Sequence, residues 1–248
     1  MSNSSLVTYT KLSPNYSVRK SKICKITPHH MAGKGTVEGC GEGFASKARK
    51  ASSNYSIDSL GHVGMHVEEK YRSWASSSSA NDDVAVTIEV ANDEIGGDWH
   101  VSDVALAKLI DLCVDICQRN GIKKLEFTGD AKGNLTQHNY FAATACPGPY
   151  LKSKFPYIAE QVNARLGVTP TSATTPTATA ATFKVRVIAS ELNIRSGPGT
   201  KFATNGSIKD KGVYTIIAEQ NGWGKLKSGA GWISLSFTKK SLGRIKFT

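Results

Sequence analysis

No run of about 18 consecutive apolar residues occurs in the 248-residue sequence, so no membrane insertion is expected. Residues 1–22 are rich in Ser, Asn, Tyr and Lys and lack the apolar h-region of a secretory signal, which predicts a product made in the cytoplasm without a signal peptide. Cysteine is scarce and odd in number: five residues without paired spacing argue against a disulfide scaffold. Cys113 and Cys117 share an apolar helical stripe with Leu106, Leu109, Ile110 and Ile116, where a thiol is a small buried hydrophobe rather than a ligand. Acid is scarce in one region only. Residues 169–248 hold 3 Asp/Glu against 12 Lys/Arg, whereas residues 1–168 hold 17 against 19, so nearly all of the +11 charge lies on the C-terminal third. Such a module suits an anionic polymer, a membrane surface or nucleic acid. No RNA-binding signature or basic helix accompanies the charge, and nucleic acid is not the expected partner.

The sequence divides at a Thr/Pro/Ala stretch, residues 168–182, which has almost no large apolar residue and no charge; it reads as a linker between a domain over 1–167 and one over 183–248. In the first domain the β-branched runs at 22–27, 53–58, 84–90 and 122–128 read as strands. Period-two alternation over 62–67 suggests a hairpin partner for 53–58, with His62 and His66 on one face, either a second metal site or two solvent-facing histidines. Residues 33–50 read as loop and short helix, and 76–80 as a Ser-rich loop. Ser102 is a plausible N-cap for a helix over 104–117 that stops at Asn120-Gly121, and Pro156 is the expected start of a last helix. The fold class expected is α/β, a central sheet flanked by helices. Beyond the linker, short strands separated by turns at 197–199, 206, 210–212, 221–222 and 229–231 predict a small all-β barrel.

The chemistry concentrates where His138 precedes Cys146 by eight positions on a segment ending in Cys146-Pro147-Gly148. Imidazole and thiolate are both good zinc donors, and a catalytic zinc takes three protein ligands with a fourth position open. A third donor is available upstream in His29-His30, at the end of a strand; adjacent residues there point to opposite sides, so one of the pair faces the metal. Glu89 interrupts an apolar strand near its end, either as a functional carboxylate able to manage protons or as an edge residue facing water. Trp74 and Trp99 read as core residues, with a glycan or peptide groove as the other reading.

His29-His30-Met31-Ala32 after a strand, Ile88-Glu89 after 84–87, and His138 with Thr144-Ala145-Cys146-Pro147-Gly148 together resemble the zinc-dependent N-acetylmuramoyl-L-alanine amidases of the amidase-2 family, which share a mixed-sheet fold with peptidoglycan recognition proteins. The resemblance runs over about 23–166. It implies zinc on His29, His138 and Cys146, a catalytic role for Glu89, and a packing or substrate-binding role for His30. The family often carries a lysine two residues before the last ligand; Thr144 stands there, a hydroxyl that brings no charge to an oxyanion. A tyrosine used by one branch aligns with Ser53 and is missing. Leu192-Asn193-Ile194-Arg195-Ser196-Gly197-Pro198-Gly199, with Trp223 and Gly231-Trp232-Ile233, resembles bacterial SH3 domains that target lytic enzymes to walls. The two resemblances imply an endolysin of phage or prophage origin, released through a holin to cut the peptidoglycan of a Gram-positive host. The other readings are a bacterial autolysin and a non-catalytic peptidoglycan binder.

Overall fold

The computed structural model describes residues 2–168, 179–200, 202–220 and 222–240, and these form two compact units, Met1–Thr171 and Ser172–Thr248. In the first, the elements in order are β1 (Tyr9–Thr10), β2 (Tyr16–Val18), β3 (Lys25–His30), α1 (Val37–Ala45), β4 (Tyr55–Ile57), β5 (Val63–Met65), β6 (Tyr71–Ser73), α2 (Ser79–Val84), β7 (Ala85–Val90), α3 (Asp103–Asn120) and α4 (Pro149–Arg165). Five strands make one mixed sheet in the order β1-β5-β4-β7-β3, with β4 and β5 antiparallel and the other pairs parallel. The core strands β3 and β7 are apolar on the face that meets α3 and α4. Ile26, Ile57, Val86, Ile88 and Val90 pack there with Leu109, Ile116, Phe155 and Ile158.

Helix α3 begins and ends where capping chemistry says it should. The Ser102 side chain accepts from Ala105 N–H, and Gly121 closes the last turn at φ 70°, a left-handed conformation that favours glycine. Cys113 and Cys117 are buried in its apolar stripe, and the thiol of Cys117 is pushed up to about 12 by burial alone.

Four expectations differ from the structure. Residues 122–128 are not a strand: the N–H and C=O of Leu125 are both taken by the side-chain amide of Asn163 at 2.8 Å, which stands where a ladder partner would be. The last helix starts at Pro149, not Pro156. Proline is well placed at the first helical position after Gly148, and Pro156 sits inside the helix, leaving Lys152 C=O without its usual donor. The last two residues of the expected 76–80 loop open α2, which runs under a Ser78 cap to Val84, the residue expected to begin the next strand. His66 is fully buried rather than solvent-facing. Its Nε2 lies 2.7 Å from Ser56 Oγ and its Nδ1 3.2 Å from Lys11 O, beneath Phe44 of α1, while His62 stays exposed and pairs with Asp58.

Arg19 is the polar anchor of this unit. Its buried guanidinium donates to five backbone carbonyls, those of Glu69, Tyr71, Asp82, Asp83 and Ala85, tying β6 and the end of α2 to the chain ahead of β3. Truncation leaves those acceptors unpaired. Arg19→Met is therefore expected to destabilise the unit by about 3 kcal/mol or more in urea unfolding, a surface-like loss below 1 kcal/mol being the contrary result.

The second unit is all β: β8 (Thr179–Val187), β9 (Leu192–Arg195), β10 (Thr204–Ile208), β11 (Val213–Gln220), β12 (Trp223–Leu226), β13 (Trp232–Ser234) and β14 (Thr238–Lys240). They form one antiparallel sheet in the order β10-β9-β13-β12-β11-β8-β14 around Val185, Val187, Leu192, Ile208, Ile216, Leu226 and Ile233. Of the expected linker, residues 169–178 lie outside the described residues, and Thr179 onward already belongs to β8, paired with Glu219 and Ala218 of β11. Residue 221 of the expected turn at 221–222 is likewise outside the described residues.

Candidate metal centre

Strand β3 delivers the first donor and recruits the second. One edge of β3 pairs with β7; along its other edge Ile26 N–H donates to Asn134 O and Thr136 N–H donates to Ile26 O. Side chains reinforce the seam: Thr27 Oγ1 and Thr136 Oγ1 are 2.8 Å apart, and Asn81 Nδ2 donates to Thr27 Oγ1 at 3.1 Å. With residues 134–136 fixed beside β3, the following single-turn helix His138–Tyr140 brings the His138 ring to 4.8 Å, centroid to centroid, from that of His29. These buried polar residues carried no signal in the sequence, because a threonine in a strand is ordinarily only a β-former.

The third donor comes from the turn ahead of α4. Gly148 has φ 79°, and a Cβ there would lie 2.8 Å from His30 Nδ1, so the turn needs glycine on both conformational and steric grounds. The Cys146–Pro147 bond is cis. Cys146 N–H donates to Thr144 Oγ1 at 3.2 Å, and its Sγ lies 3.5 Å from His29 Nδ1.

The donor atoms of His29, His138 and Cys146 all lie within 4.8 Å of one another. Nε2 of His29 and Nε2 of His138 are buried and have no hydrogen-bond partner. A buried polar atom left unpaired is costly, and each neutral ring has one lone pair to offer a cation, the His29 nitrogen beside the thiol being Nδ1. Burial, and then the nearby His138 and His30, hold His29 down to about 3, and burial also lowers His138, so both rings are neutral and keep a free lone pair. Without a cation, burial and the Glu89 charge push the Cys146 thiol up to about 12. A positive charge at this place would favour the thiolate. The donor set, two imidazoles and one thiol, fits zinc with a position left open.

Glu89 is the register partner of His29 across the β3–β7 ladder, so the two side chains leave the sheet on the same face. Its carboxyl is partly buried, and desolvation pushes it up to about 8 against the opposing pull of Arg49. Thr144 is partly exposed; accepting from Cys146 N–H leaves its own O–H proton free to donate. His30 leaves the strand on the other side, where its ring packs edge-on against Trp99 at 5.6 Å and against Gly148. The structure thus brings His29, His138, Cys146, Glu89 and Thr144 to one place and puts His30 behind the turn that carries Cys146.

A groove of about 440 Å³ opens beside His138, lined by Trp74, Lys50, Arg72, Ser78 and Asp82. Trp74 is therefore a groove residue as well as a packing one, with Nε1 held by Ser17 Oγ at 2.8 Å. Gln137 is fully buried with both amide atoms unpaired, and nothing in the sequence singles it out.

Over residues 19–149 the chain matches the family model described as N-acetylmuramoyl-L-alanine amidase, Amidase_2. No curated protein sequence matches it. Among solved structures, the hydrolase AmiA of Staphylococcus aureus in complex with its ligand aligns with TM-score 0.51 at 15% identity, covering 68% of this chain and 95% of that one. A mutant endolysin from Bacillus subtilis gives TM-score 0.50 at 16% identity over 62% of this chain and 97% of that one. A mutant of PlyL gives 0.50 at 14%, covering 63% and 98%. At these identities the likeness is one of fold. The family model spans more than half of the chain, and the chain belongs to the N-acetylmuramoyl-L-alanine amidase family, Amidase_2.

Proposed function

We propose that the chain is a zinc-dependent hydrolase of the amide bond between the lactyl group of N-acetylmuramic acid and the L-alanine of the peptidoglycan stem, with zinc held by His29, His138 and Cys146. The observation that carries this reading is the meeting of three neutralised or neutral donors within 4.8 Å, two of them with an unpaired buried nitrogen. Bound zinc supplies Lewis acidity toward a carbonyl oxygen and toward water.

The chain's own groups supply the rest. Glu89, beside His29 and desolvated, is a stronger base than an exposed carboxylate; it takes the proton of the attacking water and returns it to the departing amine of L-alanine. Thr144 donates its hydroxyl proton toward the oxygen that gains charge in the tetrahedral intermediate, a neutral donor where a lysine would add charge. The groove along Trp74 and Arg72 gives the substrate a path that ends at His138. His30 buttresses the Cys146 turn through Gly148, a positioning role rather than a contact with substrate.

The second unit we assign to wall targeting, as an SH3-like module. With it the chain acts as an endolysin that reaches a Gram-positive wall after holin-type release.

Digestion of purified walls tests the reaction. New N-terminal L-alanine is expected in step with loss of turbidity, and removal of metal with a chelator should abolish both, added zinc restoring them. New reducing sugars without free L-alanine would make it a glycosidase, and undiminished lysis by a metal-free preparation would remove zinc. Bound zinc and wall binding with no new ends would leave a peptidoglycan-binding protein.

A further inference from the structure

We propose that the outward face of β14, β8 and β11 is a docking surface for an anionic phosphodiester polymer attached to the cell wall. In β8 the side chains alternate: Val185 and Val187 enter the core while Lys184 and Arg186 are exposed. The ladder register places Lys239 of β14 directly opposite Arg186, so two cations face each other across the strands. Like charges in that relation destabilise a sheet, and neither has an acid to offset it among the described residues. Lys184 opposes Thr215, whose carbonyl accepts from the N–H of Lys227, and Lys227 is also exposed. Arg186 is steadied by donating to Lys211 O at 3.2 Å.

The unit has three acids among its described residues. Glu191 is held by Ser207 and Lys209, Asp210 bonds the Tyr214 hydroxyl, and Glu219 lies at the far end of β11 opposite Thr179. The backbones of Lys184, Arg186 and Lys239 lie in strands, so the spacing at which these side chains leave the sheet is set before any ligand arrives. A row of positive groups along neighbouring strands, with hydroxyl and aliphatic residues such as Thr215 and Val213 between them, matches a flexible chain of spaced phosphates. A stem peptide with one or two carboxylates would engage only part of it. The wall as the polymer's source rests on the hydrolase reading; the face itself does not.

The test uses the full chain, wild type and a Lys184→Ser/Arg186→Ser/Lys239→Ser variant, in sedimentation with walls that carry a phosphodiester polymer and with the same walls stripped of it by aqueous hydrofluoric acid. Three phosphate contacts predict that a tenfold rise in salt weakens wild-type binding to intact walls roughly 100-fold. Stripping should remove most wild-type binding. The variant should bind intact walls at least about tenfold more weakly, with a shallower salt dependence, while its melting temperature does not fall and its hydrolysis of soluble muropeptide stays at the wild-type value. The proposal is overturned if the variant sediments like wild type, if stripped walls bind as tightly as intact ones, or if duplex DNA at equal phosphate concentration is preferred to walls. A chain that binds in the predicted pattern but releases no L-alanine would sink the hydrolase reading and leave this surface standing.

Discussion

Cys146→Ser is expected to bring the zinc content from about one per chain to near zero after gel filtration, and to lower muropeptide hydrolysis by about 10³-fold or more. The reasoning is electrostatic. The two imidazoles are neutral because burial disfavours the charged form of each, with His138 and His30 adding to the effect at His29, so they contribute lone pairs but no charge. The thiolate is the one anionic donor in the trio, and a serine hydroxyl in its place stays protonated. The fold should survive, because Cys146 lies in a turn outside the apolar core. Circular dichroism unchanged from wild type, together with absent zinc, separates loss of the ion from loss of structure. Full zinc and full turnover in this variant would contradict the assignment.

Glu89→Gln is the second large effect. Zinc binding should persist while kcat falls about 10²–10⁴-fold, the usual scale for removing a positioned proton carrier. The same substitution has a separate stability signature. In metal-free protein the folded carboxyl titrates at about 8, well above its ordinary value, so between about pH 4.5 and 8 the folded state holds a proton that the unfolded state has released. Stability of the wild type is therefore full at the acid end and lost as pH rises through this window. Glutamine lacks that dependence. The melting temperature of metal-free Glu89→Gln should match wild type near pH 4.5 and exceed it by roughly 5 °C at pH 8. A gap that opens toward acid, or unchanged turnover, would take Glu89 out of the site.

How much of this was legible in the sequence depends on where the information lies. The caps of α3 are local, a serine ahead of an apolar period and a glycine after it, and they place its ends within a residue or so. The donors were legible through order and spacing within a family pattern. Their convergence was not, because it depends on the seam between β3 and residues 134–136, made by backbone groups and by Thr27, Thr136 and Asn81. Residues 122–128 have the composition of a strand, but the backbone of Leu125 bonds the side chain of Asn163, 38 positions away, and Glu126 bonds residues 134 and 135. Alternation puts His62 and His66 on one face but does not say that α1 covers His66, so neither a second metal site nor a solvent-facing pair describes it. The last helix offers two prolines as starts, and Pro149, not Pro156, opens it because the chain turns into the helix at Gly148, whose positive φ is set by the fold.

X-ray absorption at the zinc edge of the reconstituted chain addresses the shared cation most directly. The structure predicts a shell containing one sulfur at about 2.3 Å and nitrogen donors at about 2.0–2.1 Å, with the sulfur contribution lost in Cys146→Ser. A shell of light atoms alone in the wild type, or a sulfur distance that persists in that variant, would show that residues 29, 138 and 146 do not hold the ion together.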